Sequence, residues 1–443
     1  MVEKLSARTV ALKIAAAIRP AGKVYDHSMA RWLYWLLLAV PLAFLADILG
    51  WSEVLVFVLA GIGLIPLAGL IGMATEELAE QVGPLVGGLL NATFGNAPEL
   101  IIGIVALHAG LLDVVRASIT GSIIGNALLV LGTALLIGGW RHGRQYFDAR
   151  NAGQYASMLA LAVIGLVLPA LAQTVGQSGA VGEKHPIINI DAISIAFAVI
   201  LLISYLAYLA YTVFHVRDKP RRSPAEMREG AMPALEEGPP LVPPSPVLAE
   251  EQEEELAEEA AAAQARSGAA GPATPSEKSV APPVALRHPR LTSAIWRPVA
   301  LLAGATVATA LVSELLVGAI EPVTQQLGWS QLFIGLIIIP IVGNAAEHSS
   351  AIQMALKDRV DVTMAITAGS SIQVALLVAP VLVLVSFLFT NPLDLLFRPL
   401  ELAIFGLATF LFPLISLDGE STWLEGLLLV AFYMMVGVVA FFL

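Results

Sequence analysis

Two short stretches place acid and amide groups where the chain is otherwise apolar: GNAPE at 95–99 and GNAAE at 343–347. Each sets an Asn three residues before a Glu, giving the pairs Asn96 and Glu99, and Asn344 and Glu347. A charged Glu at the centre of a membrane span costs about 2.5–3.5 kcal/mol on insertion scales. Gly directly before Asn weakens a helix by roughly 0.5–1 kcal/mol, and Pro98 removes a backbone donor beside Glu99 and favours a kink. Such a break frees backbone carbonyls to face an ion. Glu carboxylates, Asn carbonyls and freed backbone oxygens are hard ligands. They suit Ca²⁺, which takes about 6–8 oxygens at about 2.3–2.6 Å.

The two stretches belong to a longer repeat. The second lies 248 positions after the first, and the same offset pairs Asp113 with Asp361, Gly121 with Gly369 and Ser122 with Ser370. From each motif Glu to the Ser of the following Gly-Ser pair is 23 positions. An internal duplication accounts for this. GSSIQ at 369–373 adds Ser370, Ser371 and Gln373, and GSIIGN at 121–126 adds Ser122 and Asn126. Two carboxylates neutralise one divalent cation. Without it they sit buried together, and each tends to take up a proton. Protons and cation then compete for the same oxygens, which is exchange without a separate proton relay.

The elements that must position these groups are membrane helices. Of 443 residues 57% are hydrophobic and 13% charged, against about 25% charged in soluble domains. A span needs roughly 20 apolar residues. Eleven are expected, at about 32–50, 53–73, 84–109, 115–139, 152–172, 190–214, 297–318, 330–356, 360–389, 394–415 and 422–443. The reading is an all-α polytopic membrane protein. It divides into an N-terminal segment at 1–31, an extra first helix at 32–50, a five-helix repeat at 51–216, a linker at 217–296 and a second five-helix repeat at 297–443. The linker is rich in Pro, Ala and Glu and too biased to build a core. No cleavable signal peptide is expected. The chain has no cysteine, which excludes disulfides, thiol catalysis and thiolate metal sites.

Lys and Arg in the connections set the orientation. Lys4, Arg8, Lys13, Arg19, Lys23 and Arg31 fall on the N-terminal side, together with Arg141, Arg144, Arg150, Arg217, Lys357 and Arg359. Lys184 and Arg398 fall on the other side, with Arg116 at a span edge. The N-terminus and the acidic linker are therefore expected in the cytosol and the C-terminus outside. The motifs lie five spans apart, an odd number, so the two repeats run in inverted directions. Inverted repeats place substrate near the midplane between the halves.

Other polar groups are candidates for the cavity or its gates. Glu76, Glu77 and Glu80 end the second span and form an acidic mouth or a solvated helix end. Glu314, after Ser313, sits in an apolar run near the end of the seventh span. His348 either tunes proton affinity or bonds a backbone carbonyl. Asp113 and Asp361 are explained as helix caps. The Glu run at 250–259 lacks the spaced Asp and Gly of an EF-hand loop.

At these residues the sequence resembles the CAX family of Ca²⁺/cation–proton antiporters, within the wider Ca²⁺/cation antiporter superfamily. The matching stretches are GGLLNATFGNAPELIIGIVAL at 87–107, IGLIIIPIVGNAAEHSSAIQMALKDRVD at 334–361, TGSIIGN at 120–126, GSSIQ at 369–373 and ATEELAE at 74–80. The resemblance implies eleven spans with the two Glu-bearing helices crossing at the centre. It implies a cation site at Asn96, Glu99, Asn344, Glu347, Ser370 and Gln373, and proton coupling through Glu99 and Glu347, with His348 beside them. Glu76, Glu77, Ser122, Asn126, Glu314 and Ser371 fall in the cavity or gates. Pro98 stands where the family more often has Thr or Ala, and His108 where Lys or Arg is common.

The function expected is secondary antiport of cytosolic Ca²⁺ against protons by alternating access. A Na⁺/Ca²⁺ exchanger and a Mn²⁺-preferring cation/proton antiporter are the alternatives. Ca²⁺ and protons are substrates, and no cofactor and no nucleic-acid partner is expected. A homo-oligomer is left open. The short N-terminal segment and the basic inner face fit a bacterial plasma membrane. An intramembrane hydrolase would need a Ser paired with a base or His-Glu-x-x-His spacing, and AEHSSAIQ is not that spacing, so no enzyme is expected.

Overall fold

The computed structural model describes residues 35–178, 189–214 and 295–443. The segment 1–31 and nearly all of the 217–296 linker lie outside the described residues. In chain order the helices are α1 (Ala39–Ile48), α2 (Glu53–Val82), α3 (Pro84–Phe94), α4 (Ala97–His108), α5 (Leu112–Ile124), α6 (Leu131–His142), α7 (Ala149–Ser178) and α8 (Ile190–Phe214). The second half has α9 (Trp296–Gly318), α10 (Ile320–Leu327), α11 (Gln331–Phe333), α12 (Ile339–Gly343), α13 (Ala345–Leu356), α14 (Val360–Gln373), α15 (Ala379–Ser386), α16 (Pro399–Ser416) and α17 (Trp423–Phe442). Wider π-helical turns join several of them, at Gly125–Val130, Ile334–Ile338 and Val374–Val378. Such turns are rare and concentrate at functional sites.

Among the described residues eight helical stretches are long and apolar enough to cross a membrane, and the bent pair Gln331–Gly343 with Ala345–Leu356 makes up to nine. Of the eleven spans expected, the one at 32–50 is represented by the ten-residue α1 and the one at 84–109 by the broken pair α3 and α4. The second span runs nine residues past its expected end, so Glu76, Glu77 and Glu80 are helical. The outer surface is apolar: Leu161, Ile200, Leu206, Phe410, Leu428 and Met434 are exposed. In a protein of this composition that surface is the lipid face.

The duplication is visible in the helix bounds. α4 and α13 begin and end 248 positions apart, as do the starts of α5 and α14 and of α6 and α15. The π-helical turns that follow α5 and α14 end at the matched residues Val130 and Val378. Interior packing joins the halves: α2 lies along α9, α5 along the segment 331–343, α6 along α17 and α7 along α16.

The two halves do not pack alike. A Cβ on Gly121 would fall 2.2 Å from the Leu336 carbonyl oxygen, and one on Gly335 would fall 2.8 Å from the Val114 oxygen. α5 and the turn Ile334–Ile338 therefore touch backbone to backbone. The counterpart glycines behave differently. A Cβ on Gly369 meets nothing within 4 Å, and Gly87 lies against the Ala79 carbonyl of α2, at 2.8 Å. Val86 and Leu89 of α3 are exposed, while most of the segment 331–343 is buried.

At one end, β1 (Gln145–Tyr146) pairs antiparallel with β2 (Glu420–Ser421). The buried Gln145 amide also donates to Ala355 O at 3.1 Å and to Asp358 Oδ1 at 3.0 Å. Three connecting loops are clasped together there.

Gly121→Ala is expected to destabilise the protein by about 1–3 kcal/mol through overpacking, whereas Gly369→Ala is tolerated. Thermal unfolding of the two variants in detergent compares them directly; equal midpoints would contradict the asymmetry.

Candidate cation site

Both motifs stand at helix breaks. Asn96 leaves helical geometry between α3 and α4, with φ −105° and ψ 24°. Asn344 does so between α12 and α13, with φ −85° and ψ 17°, and the chain bends there by 60°. Each Asn is the N-cap of the following helix, yet neither side chain caps it. Each Glu is the third helical residue, in the first turn, where the positive end of the helix dipole favours a carboxylate. Pro98 stands at the second helical position, where a missing N–H costs little because that donor has no intrahelical partner. The break therefore falls before Pro98, at Asn96.

The uncapping side chains bond across the molecule. Asn126 Nδ2 donates to Ser370 Oγ at 2.9 Å, and Ser370 Oγ donates to Asn96 Oδ1 at 3.0 Å. Asn96 Nδ2 donates to Gln373 Oε1. Asn126 Nδ2 also approaches Asn344 Oδ1, at 3.4 Å, and Asn344 Nδ2 donates to Pro340 O at 3.0 Å. One amide and hydroxyl chain thus joins both motifs to the spans that follow them.

Glu99 is 4% exposed, and neither carboxylate oxygen has a hydrogen-bond partner among the described residues. Its oxygen Oε1 sits 3.1 Å from where a Cβ on Gly343 would be, so the Gly of the second motif makes room for the Glu of the first. Glu347 lies close enough for the two charges to act on each other; it is half-buried, as is His348. Ser122 Oγ and Asn126 Oδ1 are buried and also without partners among the described residues. Buried polar oxygens left unpaired cost about 1–3 kcal/mol each, and a cation would satisfy them. No three His, Cys, Asp or Glu converge among the described residues. The polar groups gathered around the two breaks are two carboxylates and neutral amide and hydroxyl oxygens.

Several sequence candidates lie apart from this chain of bonds. Ser371 Oγ is 3.0 Å from both Thr367 O and Ile123 O, and Ile123 is its own repeat counterpart. Ser371 therefore stitches the two repeats together. Glu76 is exposed and Glu77 half-buried on the last turns of α2. Glu314 is exposed on α9, while its neighbour Ser313 is buried and unpartnered. Asp113 and Asp361 do not cap the helices they open; neither α5 nor α14 has a side-chain cap. Asp113 pairs with Arg116 at 2.9 Å and with Arg398, and Arg116 reaches Asp394 at 2.7 Å. Asp361 accepts from Asp148 N at 2.8 Å. Both tie the start of a site-bearing span to the start of another helix, a role that depends on partners over two hundred residues away. Gly343 was in plain view within GNAAE, but its contact with Glu99 crosses 244 positions.

The fold and the paired carboxylates define a membrane ion transporter rather than an enzyme. A family profile described as sodium/calcium exchanger protein matches residues 52–214 and 297–442. The chain is 40% identical over 407 residues to a Ca²⁺/H⁺ antiporter of Synechocystis sp., covering 92% of this chain and 96% of that one. It is 33% identical to a vacuolar calcium ion transporter of Schizosaccharomyces pombe, over 95% of this chain and 91% of that one. Among solved structures, that of native YfkE superposes with a TM-score of 0.66 at 31% identity, covering 93% of this chain and all of that one. The H⁺/Ca²⁺ exchanger CAX, at 14% identity and a TM-score of 0.59, shares the fold over 94% of this chain and 93% of its own. The chain belongs to the sodium/calcium exchanger protein family, on its CAX-type Ca²⁺/H⁺ antiporter branch.

Asn96→Ala leaves the Gln373 acceptor and the Ser370 donor unpaired and is expected to cost about 1–3 kcal/mol. In a double-mutant cycle with Gln373→Ala the two losses are expected to be non-additive by at least about 0.5 kcal/mol. Chemical unfolding of the four proteins measures this, and strict additivity would show that the bond contributes nothing.

Proposed function

We propose that the chain exchanges cytosolic Ca²⁺ for protons by alternating access, with Glu99 and Glu347 as the groups that Ca²⁺ and protons share. The observation that carries this is the Glu99 carboxylate: buried, within electrostatic reach of Glu347, and with neither oxygen partnered among the described residues. A purely structural Glu at that depth would have its oxygens bonded. Two carboxylates balance one divalent cation, and two protons balance them equally well. Asn96, Asn344, Ser370 and Gln373 supply neutral oxygens, and the Ca²⁺/H⁺ antiport of the Synechocystis relative supports the same reading. Ser122 and Asn126 border the site, His348 adjoins it, and Glu76, Glu77 and Glu314 belong to the approaches.

The architecture in this reading is eleven spans: the extra helix at 32–50, then five-span repeats at 51–216 and 297–443 in opposite orientation. The matched helix bounds and the Ser371–Ile123 bond support the repeat. With the N-terminus and the linker 217–296 in the cytosol, α5 and the segment 331–343 close the outer half. The open flank at Gly369 then lies in the cytosolic half, so the arrangement supports a site closed outward and approached from within. A bacterial plasma membrane fits the basic inner face.

In proteoliposomes under an imposed pH gradient, Ca²⁺ uptake is expected to collapse with a proton ionophore and to vanish in Glu99→Gln and Glu347→Gln. Half-saturating Ca²⁺ should rise as the pH on the binding side falls, because protons occupy the same oxygens. Uptake that requires a Na⁺ gradient instead would move the protein to Na⁺/Ca²⁺ exchange, and stronger uptake of Mn²⁺ to a Mn²⁺ antiporter. Normal transport by both variants would refute the site.

A further inference from the structure

The site has a gap in its symmetry. The 248-position offset maps Gln373, whose amide oxygen accepts from Asn96, onto Gly125, which has no side chain. Gly125 opens the π-helical turn Gly125–Val130. A Cβ placed on it would meet nothing closer than Pro340 Cβ at 3.9 Å and Tyr433 Cε2 at 4.0 Å. The space that a side chain at 125 would enter is therefore bordered by the ring of Tyr433, which comes from α17 and lies outside both motifs.

Tyr433 is 2% exposed, and its hydroxyl has no partner among the described residues. Two oxygens on the adjoining stretch share that condition: Ser122 Oγ, one turn before Gly125, and Asn126 Oδ1, immediately after it. In the second repeat the equivalent neighbourhood is satisfied, since Ser370 and Gln373 are both bonded to Asn96. A buried hydroxyl without a partner is unfavourable, and Phe would fill the same volume without that cost. A phenol at this point calls for a partner that arrives with the transported ion and its water.

We propose that Tyr433 is a positioning residue of the cation site, its hydroxyl supplying from α17 the polar group that the first repeat lacks at Gly125. It acts by hydrogen bonding on the Ser122 and Asn126 side of the site when Ca²⁺ is bound. The inference rests on the Ca²⁺/proton exchange reading of the same site.

The test is Tyr433→Phe, which removes the hydroxyl and keeps the ring, run in proteoliposomes beside wild type and Glu99→Gln. The expected result is a thermal midpoint at or above wild type and a half-saturating Ca²⁺ raised about three- to tenfold, with the maximal rate within about twofold. Gly125→Ser in the Tyr433→Phe background, which returns a hydroxyl from the other wall, should recover part of that shift. Unchanged half-saturation would overturn the inference. A lowered thermal midpoint would overturn it too, because the hydroxyl would then be serving the packed protein rather than the bound ion. Normal transport by Glu99→Gln would instead bring down the exchange reading itself, an outcome read independently of the Tyr433 arm.

Discussion

The rest of the structure depends on one electrostatic constraint: a carboxylate held in an apolar interior with both oxygens unspent. Glu99 meets it. It is almost fully buried, neither oxygen has a hydrogen-bond partner among the described residues, and the carboxyl of Glu347 lies near enough to interact with it. Such a group is tolerable only where something else favours negative charge, and the helix breaks at Asn96 and Asn344 provide that. Each break turns the middle of a span into a helix N-terminus, with its positive end at the Glu. The Asn side chains, released from capping, bond elsewhere: Asn96 donates to Gln373 and accepts from Ser370, while Asn344 donates to Pro340 O and accepts from Asn126. The frame around Glu99 is thereby fixed by bonds that leave its carboxylate oxygens without partners among the described residues.

Close helix approach is the second requirement, and glycine meets it unevenly. Gly121 and Gly335 let α5 and the turn Ile334–Ile338 touch through their backbones. The same residue types recur at Gly369 and Gly87, but there the corresponding contact is not made. Two copies of one sequence thus adopt two packings within one molecule. In the alternating-access reading proposed above, each half would take the other's packing when the site turns over.

The ends of the bundle are held differently from its middle. On one face Asp113, Arg116, Asp394 and Arg398 form an ionic group linking α5 to the start of α16. On another, β1 and β2, Gln145 and the Asp148–Asp361 bond clasp three loops. Asp113 and Asp361 are repeat partners, and each fastens the start of a site-bearing span to a distant helix. These fastenings lie at helix ends, where partly exposed side chains let charges hold elements together as amides and hydroxyls do in the interior.

Much of this was legible in the chain itself. The spans follow from apolar length, and the bounds of α8 and of the continuous helical stretch Val360–Ser386 agree closely with the expected runs. The duplication follows from matched residues, and the candidate site from Asn and Glu placed where they are costly. Those are local or periodic properties, fixed by residue type and spacing. Other features were decided by contacts between distant segments. The break at Asn96 instead of Pro98, the room Gly343 leaves for Glu99, the diversion of Ser371 to Ile123 and the pairing of Asp113 with Arg398 all belong here. So does the placement of Tyr433 beside Gly125. A sequence states which groups are too polar for their surroundings; only packing decides which of them become one another's partners and which are left with oxygens to offer an ion.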